Sequence, residues 1–251
     1  MVKTAAEPTH DRNSSLPDEG AASFLVLANR LPVRRVTTSD GAAWETSPGG
    51  LVTALAPVMA GRDDAMWLGW SGTTGTEGED PLVVDGIAMV PVPLSRGEVE
   101  LFYEGFANRT LWPLYHDSIV RSEYHRTWWD AYRSVNRRFA KTAARWAAPG
   151  AAVWVLVPGM LRELRPDLTI GFFLHIPFPP VELFLQIPWR STIVEGLLGA
   201  DVIGFQTHGG AANFRRLAEV VSQAEVSGQE VKVAGREVRV DCFGIGVDTA
   251  T

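Results

Sequence analysis

The sequence predicts an α/β fold, a doubly wound and mostly parallel sheet, on three observations. Short apolar runs alternate with helix-like segments from Ser23 to Phe243. The runs from Ala151 onward are continuously apolar, as parallel strands covered on both faces must be. Glycine turns stand where helices open, as in Ser47-Pro-Gly-Gly50 before Leu51–Met59. In such sheets ligands bind beyond the carboxyl ends of the strands.

The elements follow in order. Residues Met1–Ala22 are polar, with Pro8, Pro17 and Gly20, and read as a disordered tail before a single domain over 23–251. Ser23–Ala28 is a buried strand that ends abruptly at Asn29-Arg30, and a polar loop follows it. Met66–Trp70 is a second strand, ending at Ser71-Gly72. Pro81–Pro93 reads as two extended pieces around an Asp85-Gly86 hairpin turn. Ser122–Ala148 has apolar residues every three or four positions, from Trp128 through Tyr132, Val135 and Phe139 to Ala143. It is therefore a long helix, and Pro149-Gly150 stops it. Its charged face reads as solvated, with pairs such as Asp130 and Arg133, and Trp128-Trp129 as packing.

Next come a strand at Ala151–Val155, a helix at Pro158–Leu164 and a strand at Leu168–Leu174 with His175 at its end. Pro180–Gln186 and Trp189–Leu198 are helical candidates, Asp201–Phe205 a strand and Gly209–Gln223 a helix. Two β-type runs, Glu230–Ala234 and Glu237–Phe243, close the series.

Composition narrows the function. A formal charge of −6 argues against a general nucleic-acid binder. Cys242 is the single cysteine, so no internal disulfide forms, and no Cys/His cluster has metal-ligand spacing. The apolar stretch Ile170–Trp189 is interrupted by His175, Glu182 and four prolines, too broken for a membrane span. A cytoplasmic protein is expected.

The segment Leu101–His116 fits neither strand nor helix period. It concentrates Phe102, Tyr103, Phe106, Trp112, Tyr115 and His116 beside Asn108, Arg109 and Thr110. That mixture suits stacking on sugar faces and hydrogen bonding to hydroxyls, or an irregular packed connection. Arg30 at a strand tip suits a phosphate, or is an ordinary surface arginine. Gly49-Gly50 before a helix offers N–H groups to an anion, or is a simple turn. His175, ahead of Ile-Pro-Phe-Pro-Pro180, faces a ligand or is a core histidine.

Taken together, these residues resemble the trehalose-6-phosphate synthases, retaining glycosyltransferases with the two-domain GT-B fold. The matching pieces are Leu27–Val33, Ser47–Leu51, Trp67–Gly72, Phe102–Pro113, Tyr132–Asn136, Gly171–Pro180 and Gly199–Phe205. The resemblance implies the Rossmann-like N-terminal half of that fold, and glucosyl transfer from UDP-glucose to glucose-6-phosphate. It implies that Arg30 binds the acceptor phosphate with Tyr103, and that Trp70 and Trp112 shape the acceptor pocket. It places Gly50 against the donor diphosphate and His175, as catalytic residue, beside the donor glucose. It implies no metal or other cofactor. In the family the leaving phosphate accepts the acceptor's proton, so no carboxylate nucleophile is needed.

Two departures stand out. Val153-Trp-Val155 runs directly into Leu156-Val-Pro158, where the family carries an Asp-Tyr pair whose aspartate contacts the acceptor sugar. A rearranged or frayed strand end is expected there. Asp241–Asp248 resembles the junction into the family's second domain, which supplies the remaining donor-binding groups, and the sequence stops at Thr251. The expectation is an acceptor half with little or no activity alone, and docking to a donor domain or self-association stays open. A non-catalytic sugar-phosphate binder, or a relative using another phosphorylated acceptor, is the alternative.

Overall fold

The computed structural model describes residues 16–38, 41–47, 61–75, 79–116 and 120–244, together with Val52, Leu55, Val58 and Met59. Its centre is a ten-stranded sheet. Strand β1 (Ala22–Arg30) lies in the middle, with β4 (Ala65–Trp70), β6 (Ile87–Pro91) and β5 (Leu82–Val84) successively on one side. On the other side lie β7 (Ala147–Val155), β8 (Thr169–Leu174), β9 (Val202–Phe205) and β12 (Arg236–Cys242). The antiparallel β11 (Glu230–Val233) and β10 (Glu225–Ser227) complete that edge. From β6 to β12 every neighbouring pair is parallel.

Strand order reverses between β1 and β7. The chain first builds outward from β1 through β4 to β6, then returns to β7 on the opposite flank. In open parallel sheets such a reversal parts the loops beyond the strand tips and leaves a crevice there. The tips of β1, β7, β4 and β8 border it.

The core explains why the strands are apolar throughout. Along β1, Leu25 and Leu27 pack into the larger cluster, whereas Val26 and Ala28 pack into a second one with Trp67, Met89, Leu55 and Met59. Alternate residues point to opposite faces, so a strand covered on both sides needs both sets apolar. Val52, Leu55, Val58 and Met59 are helical, in keeping with the helix expected over Leu51–Met59. The Ser47–Gly50 turn falls outside the described residues from Pro48 onward.

Several elements differ from the sequence reading. The supposed polar loop after Arg30 is a two-stranded ribbon, β2 (Val33–Thr38) and β3 (Gly41–Thr46). Residues Leu16–Ala22 are not a tail: Leu16 packs against the core, Glu19 pairs with Arg145, and Ala22 already belongs to β1. The first fifteen residues lie outside the described part. The hairpin at Asp85-Gly86 is as expected, with positive φ at both residues.

The segment without a period proves to be a helical run. A single turn at Arg96–Glu98 (α1) leads into a π-helix over Val99–Leu111 and then Trp112–Tyr115 (α2). Bonds from i to i+5 shift buried positions away from the α spacing, which is why the pattern escaped a 3.6-residue template. Ser95 and Glu98 form a capping box at its start, and Arg138 from the long helix grips Glu98 and the Pro93 carbonyl. Phe106 fills the space between Trp129, Tyr132 and Trp189, and Gly105 lets the Trp128 indole lie against the backbone.

That long helix, α3, spans Arg126–Trp146, shorter than expected at both ends. Asp130 pairs with Arg126 one turn earlier, not with Arg133. Trp129 is buried and stacks on Trp189 at 5.1 Å, as packing predicts. Strand β7 begins at Ala147, so no connection separates it from the helix, and Pro149-Gly150 lies in a bulge where pairing to β1 skips residues. Arg165 makes this junction tolerable. It follows α4 (Pro158–Leu164), and its guanidinium donates to the carbonyls of Ala144, Ala147 and Ala148 and to Asp167. Carbonyls at a helix end have no partner within the helix, and a cation there also suits the helix dipole. Asp167 in turn accepts from the Gly150 N–H, and Arg165 holds its carboxyl well below the usual carboxylate range.

Strand β7 does not fray. It pairs with β1 up to Val155–Leu27, and only Leu156 and Val157 bridge to α4 at Pro158. The remaining elements are α5 (Val181–Phe184), shorter than read, α6 (Arg190–Leu197) and α7 (His208–Ser222). Replacing Arg165 by alanine strips the helix end of its donors. It is expected to lower the unfolding free energy by about 2 kcal/mol in urea denaturation; an unchanged midpoint would show that water serves those carbonyls equally well.

Candidate functional site

The site grows from a backbone contact between β1 and β4. At Gly69 an added Cβ would lie 2.6 Å from the carbonyl carbon of Arg30 and from the Leu31 nitrogen. Only glycine permits that approach. The register of β1 on β4 shifts at this point, and Arg30 comes to lie opposite Trp70. Two bonds secure it: the Leu31 N–H donates to the Trp70 carbonyl at 2.9 Å, and the Trp67 indole donates to the Arg30 carbonyl at 3.2 Å.

The side chains then meet. The Arg30 guanidinium carbon lies 4.5 Å from the Trp70 ring centroid and 6.0 Å from that of Tyr103. The two rings are 6.0 Å apart at 62°, an edge arrangement. Tyr103 arrives from the π-helix, so an element in an unusual conformation delivers the third member of the group. Gly72 has φ +94° and leaves room for the guanidinium; a Cβ there would stand 3.1 Å from Arg30 Nη2. Arg30 is exposed, and no carboxylate among the described residues pairs with it. Among the described residues no hydrogen bond takes up its N–H groups, and a cation steadied in this way by two aromatic rings can receive an oxyanion.

Trp70 is itself fixed. Its indole N–H donates to the Thr73 carbonyl at 2.6 Å, and the Thr73 hydroxyl bonds Ser71 at 2.9 Å and Glu79 at 3.0 Å. Gly69 falls within the Trp67–Gly72 piece that carries the family resemblance, but nothing in the sequence marked Thr73 or Glu79, because their importance lies in where the chain passes rather than in a motif.

His175 follows the tip of β8 on the other flank of the crevice, two strands from β1. Its ring packs against Phe173 at 4.7 Å, and Phe173 in turn stacks on Trp154. Although the residue is exposed overall, dehydration of its ring by these neighbours holds the imidazole pKa below its ordinary value. It is therefore neutral at physiological pH, with one donor and one acceptor nitrogen available to a hydroxyl. Trp112 stands apart. It is 54% exposed and stacks on His116 at 3.6 Å, and none of its ring contacts is with Arg30, Trp70 or Tyr103. Gly50 lies outside the described residues. Thus Arg30, Trp70 and Tyr103 form one group, while His175 and Trp112 each stand elsewhere.

The tip of β7, between the Arg30 group and His175, carries Leu156 at 40% exposure. No carboxylate occupies that position. Among the described residues no group of three or more His, Cys, Asp or Glu could hold a metal ion, and no helix is long and apolar enough to cross a membrane.

Comparison with known proteins agrees with this architecture. The family model for glycosyltransferase family 20 matches residues 22–251. The trehalose-6-phosphate synthase of Mycolicibacterium gilvum is 53% identical over 94% of this chain and 51% of its own length. That of Mycolicibacterium smegmatis is 55% identical over 92% of this chain and 49% of its own. The chain spans about half the length of the curated relatives it matches. Among solved structures, a UDP-forming α,α-trehalose-phosphate synthase from Burkholderia xenovorans superposes with a TM-score of 0.77 at 30% identity. The match covers 90% of this chain and 48% of that one. The sheet is thus that of the N-terminal half of the GT-B fold.

The geometry yields two expectations. Gly69→Ala should cost about 1–3 kcal/mol in denaturant unfolding, because backbone and not a flexible side chain blocks the new methyl; a silent substitution would mean that β1 can shift freely. The His175 ring should titrate below the ~6.5 of a solvated imidazole when followed by NMR. With its folded pKa depressed, the stability tied to the neutral ring is present above the unfolded value and is lost as pH falls through the folded one. An ordinary midpoint would contradict the packing described.

Proposed function

Because the chain belongs to glycosyltransferase family 20, we propose that it forms the acceptor side of a UDP-forming α,α-trehalose-phosphate synthase. The reading assigns residues 23–251 to an acceptor-binding domain. The observation that carries it is the Arg30 guanidinium, stacked on Trp70 beside Tyr103 at the topological switch point with no carboxylate partner among the described residues. A phosphorylated hexose suits such a site. Its phosphate takes the unspent N–H groups of Arg30, and its apolar face lies against an aromatic wall.

Relatives support the choice of ligands. One solved relative, the Burkholderia xenovorans enzyme, was determined in complex with glucose-6-phosphate, and the Escherichia coli one with UDP-2-fluoro glucose bound. By this reading glucose-6-phosphate docks at Arg30, Trp70 and Tyr103, with Trp112 further along the same helical run. His175 offers its neutral ring to a hydroxyl of the donor glucose. UDP-glucose is then shared between Gly50 and His175 and the half of the relatives that this chain does not span.

A second reading, phosphosugar binding without transfer, draws on the β7 tip. Leu156 is exposed there and offers no group to hold an acceptor hydroxyl, although the family resemblance calls for an aspartate after this strand. Calorimetry tests the shared part. Glucose-6-phosphate is expected to bind the purified chain, and Arg30→Ala to weaken it ~10-fold or more, the usual worth of a charge-assisted hydrogen bond. No heat at millimolar ligand would refute both readings. Mixing the chain with glucose-6-phosphate and UDP-glucose tests the second reading alone: both readings expect little or no UDP release from the chain by itself, and sustained release would eliminate binding without transfer.

A further inference from the structure

We propose that Glu79 is a positioning residue for the anion site, acting through Thr73 and the Trp70 indole on the Arg30 guanidinium. The choice of ligand rests on the phosphosugar reading above, whereas the clamp stands on geometry alone.

An indole can steady a guanidinium only if its own ring is held. Rotation about the Trp70 side chain is stopped by the bond from Nε1 to the Thr73 carbonyl, at 2.6 Å. The place of that carbonyl depends on how Thr73 is tied. Glu79 is a carboxylate, so it can only accept, and it accepts the Thr73 hydroxyl proton at 3.0 Å. Thr73 Oγ1 must then accept from the Ser71 hydroxyl, 2.9 Å away. Ser71 Oγ is left to accept from the Thr73 backbone N–H at 3.4 Å. One charge thus sets the direction of both hydroxyl protons, and each hydroxyl donates once and accepts once. Ser71 is only 5% exposed, so water cannot easily substitute within this network.

Further ties fix the loop around it. Arg35, on β2 of the ribbon, lies 3.8 Å from the Glu79 carboxylate, and the Gly75 N–H donates to the Leu94 carbonyl at 2.9 Å. Glu79 therefore joins the ribbon, the loop after β4 and the wall of the crevice.

The role has a signature that a plain charge effect lacks. A carboxylate near an anion site repels the anion, so removing it should tighten binding by Coulomb's law alone. Loss of positioning acts in the opposite direction. Two readouts in the full chain decide the matter. The first needs no ligand: the Arg30 guanidinium, its central carbon 4.5 Å from the Trp70 ring centroid, is expected to carry a ring-current shift in the NMR spectrum. The second is the Kd for glucose-6-phosphate.

Glu79→Ala is expected to move the Arg30 resonance towards that of a free arginine and to weaken binding ~3- to 10-fold, the worth of one net hydrogen bond. Thr73→Val, which removes the hydroxyl and keeps the carbonyl, should do the same. Glu79→Gln retains an acceptor oxygen and should restore the resonance and bring binding within ~2-fold of the original. An unmoved Arg30 resonance in Glu79→Ala, or binding that stays equal or tightens, would overturn the proposal. Should the unaltered chain bind no sugar phosphate, the phosphosugar reading fails, and the Arg30 resonance alone still decides the clamp.

Discussion

The close passage of β1 over Gly69 is the constraint on which the site depends. Two parallel strands ordinarily end side by side with their last side chains pointing apart. Here the missing side chain lets the Arg30–Leu31 backbone fold against β4, and the register shift turns Arg30 towards Trp70. Everything nearby accommodates this contact. Trp67 and Trp70 bond to the backbone that crosses them, and Gly72 yields space to the guanidinium. Tyr103 closes the group from the π-helix.

Around that contact the sheet supplies rigidity and the loops supply chemistry. A strand buried on both faces cannot move without disturbing two cores, so a group at its tip inherits the order of the whole sheet. The π-helix is held in the same way, by Phe102 and Phe106 packed against α3, with Arg138 gripping its capping box. Unusual helical geometry persists where surrounding contacts outweigh its poorer hydrogen bonds. The aromatic residues of that segment accordingly divide their labour. Phe102 and Phe106 hold the helix, while Tyr103 faces the crevice and Trp112 stays in solvent.

Much of this was legible in the sequence, for identifiable reasons. The parallel strands could be read because continuous apolar runs have few other uses in a soluble fold, and Arg30 and His175 could be placed because each ends such a run. The ribbon β2–β3 was missed because its strands lie off the main sheet and carry Arg34, Arg35 and Glu45 on exposed positions, a pattern indistinguishable from a loop. The π-helix was missed because templates for 3.6 and 2 residues both reject its spacing. The absence of a connection between α3 and β7 depended on Arg165, eighteen residues beyond the strand's first residue, and such a long-range tie leaves no local trace. The pairing of Asp130 failed on orientation alone, since Arg126 one turn earlier competes with Arg133.

The Arg30 guanidinium at the tip of β1, which no carboxylate among the described residues pairs with, also bears on how a phosphorylated ligand of the proposed kind would approach the crevice. The chain as a whole carries a charge of −6, so under the proposed phosphosugar reading a doubly charged phosphate ester would be repelled at long range and attracted only near Arg30. At physiological ionic strength the field decays over roughly 8 Å, which confines both influences to the vicinity of the protein. Modest added salt then dampens the repulsive halo more than it dampens a contact made at hydrogen-bonding distance. If the proposed phosphosugar site operates, capture by this surface would be governed by screening in the opposite sense to electrostatic steering: the encounter would quicken as the surrounding electrolyte thickens.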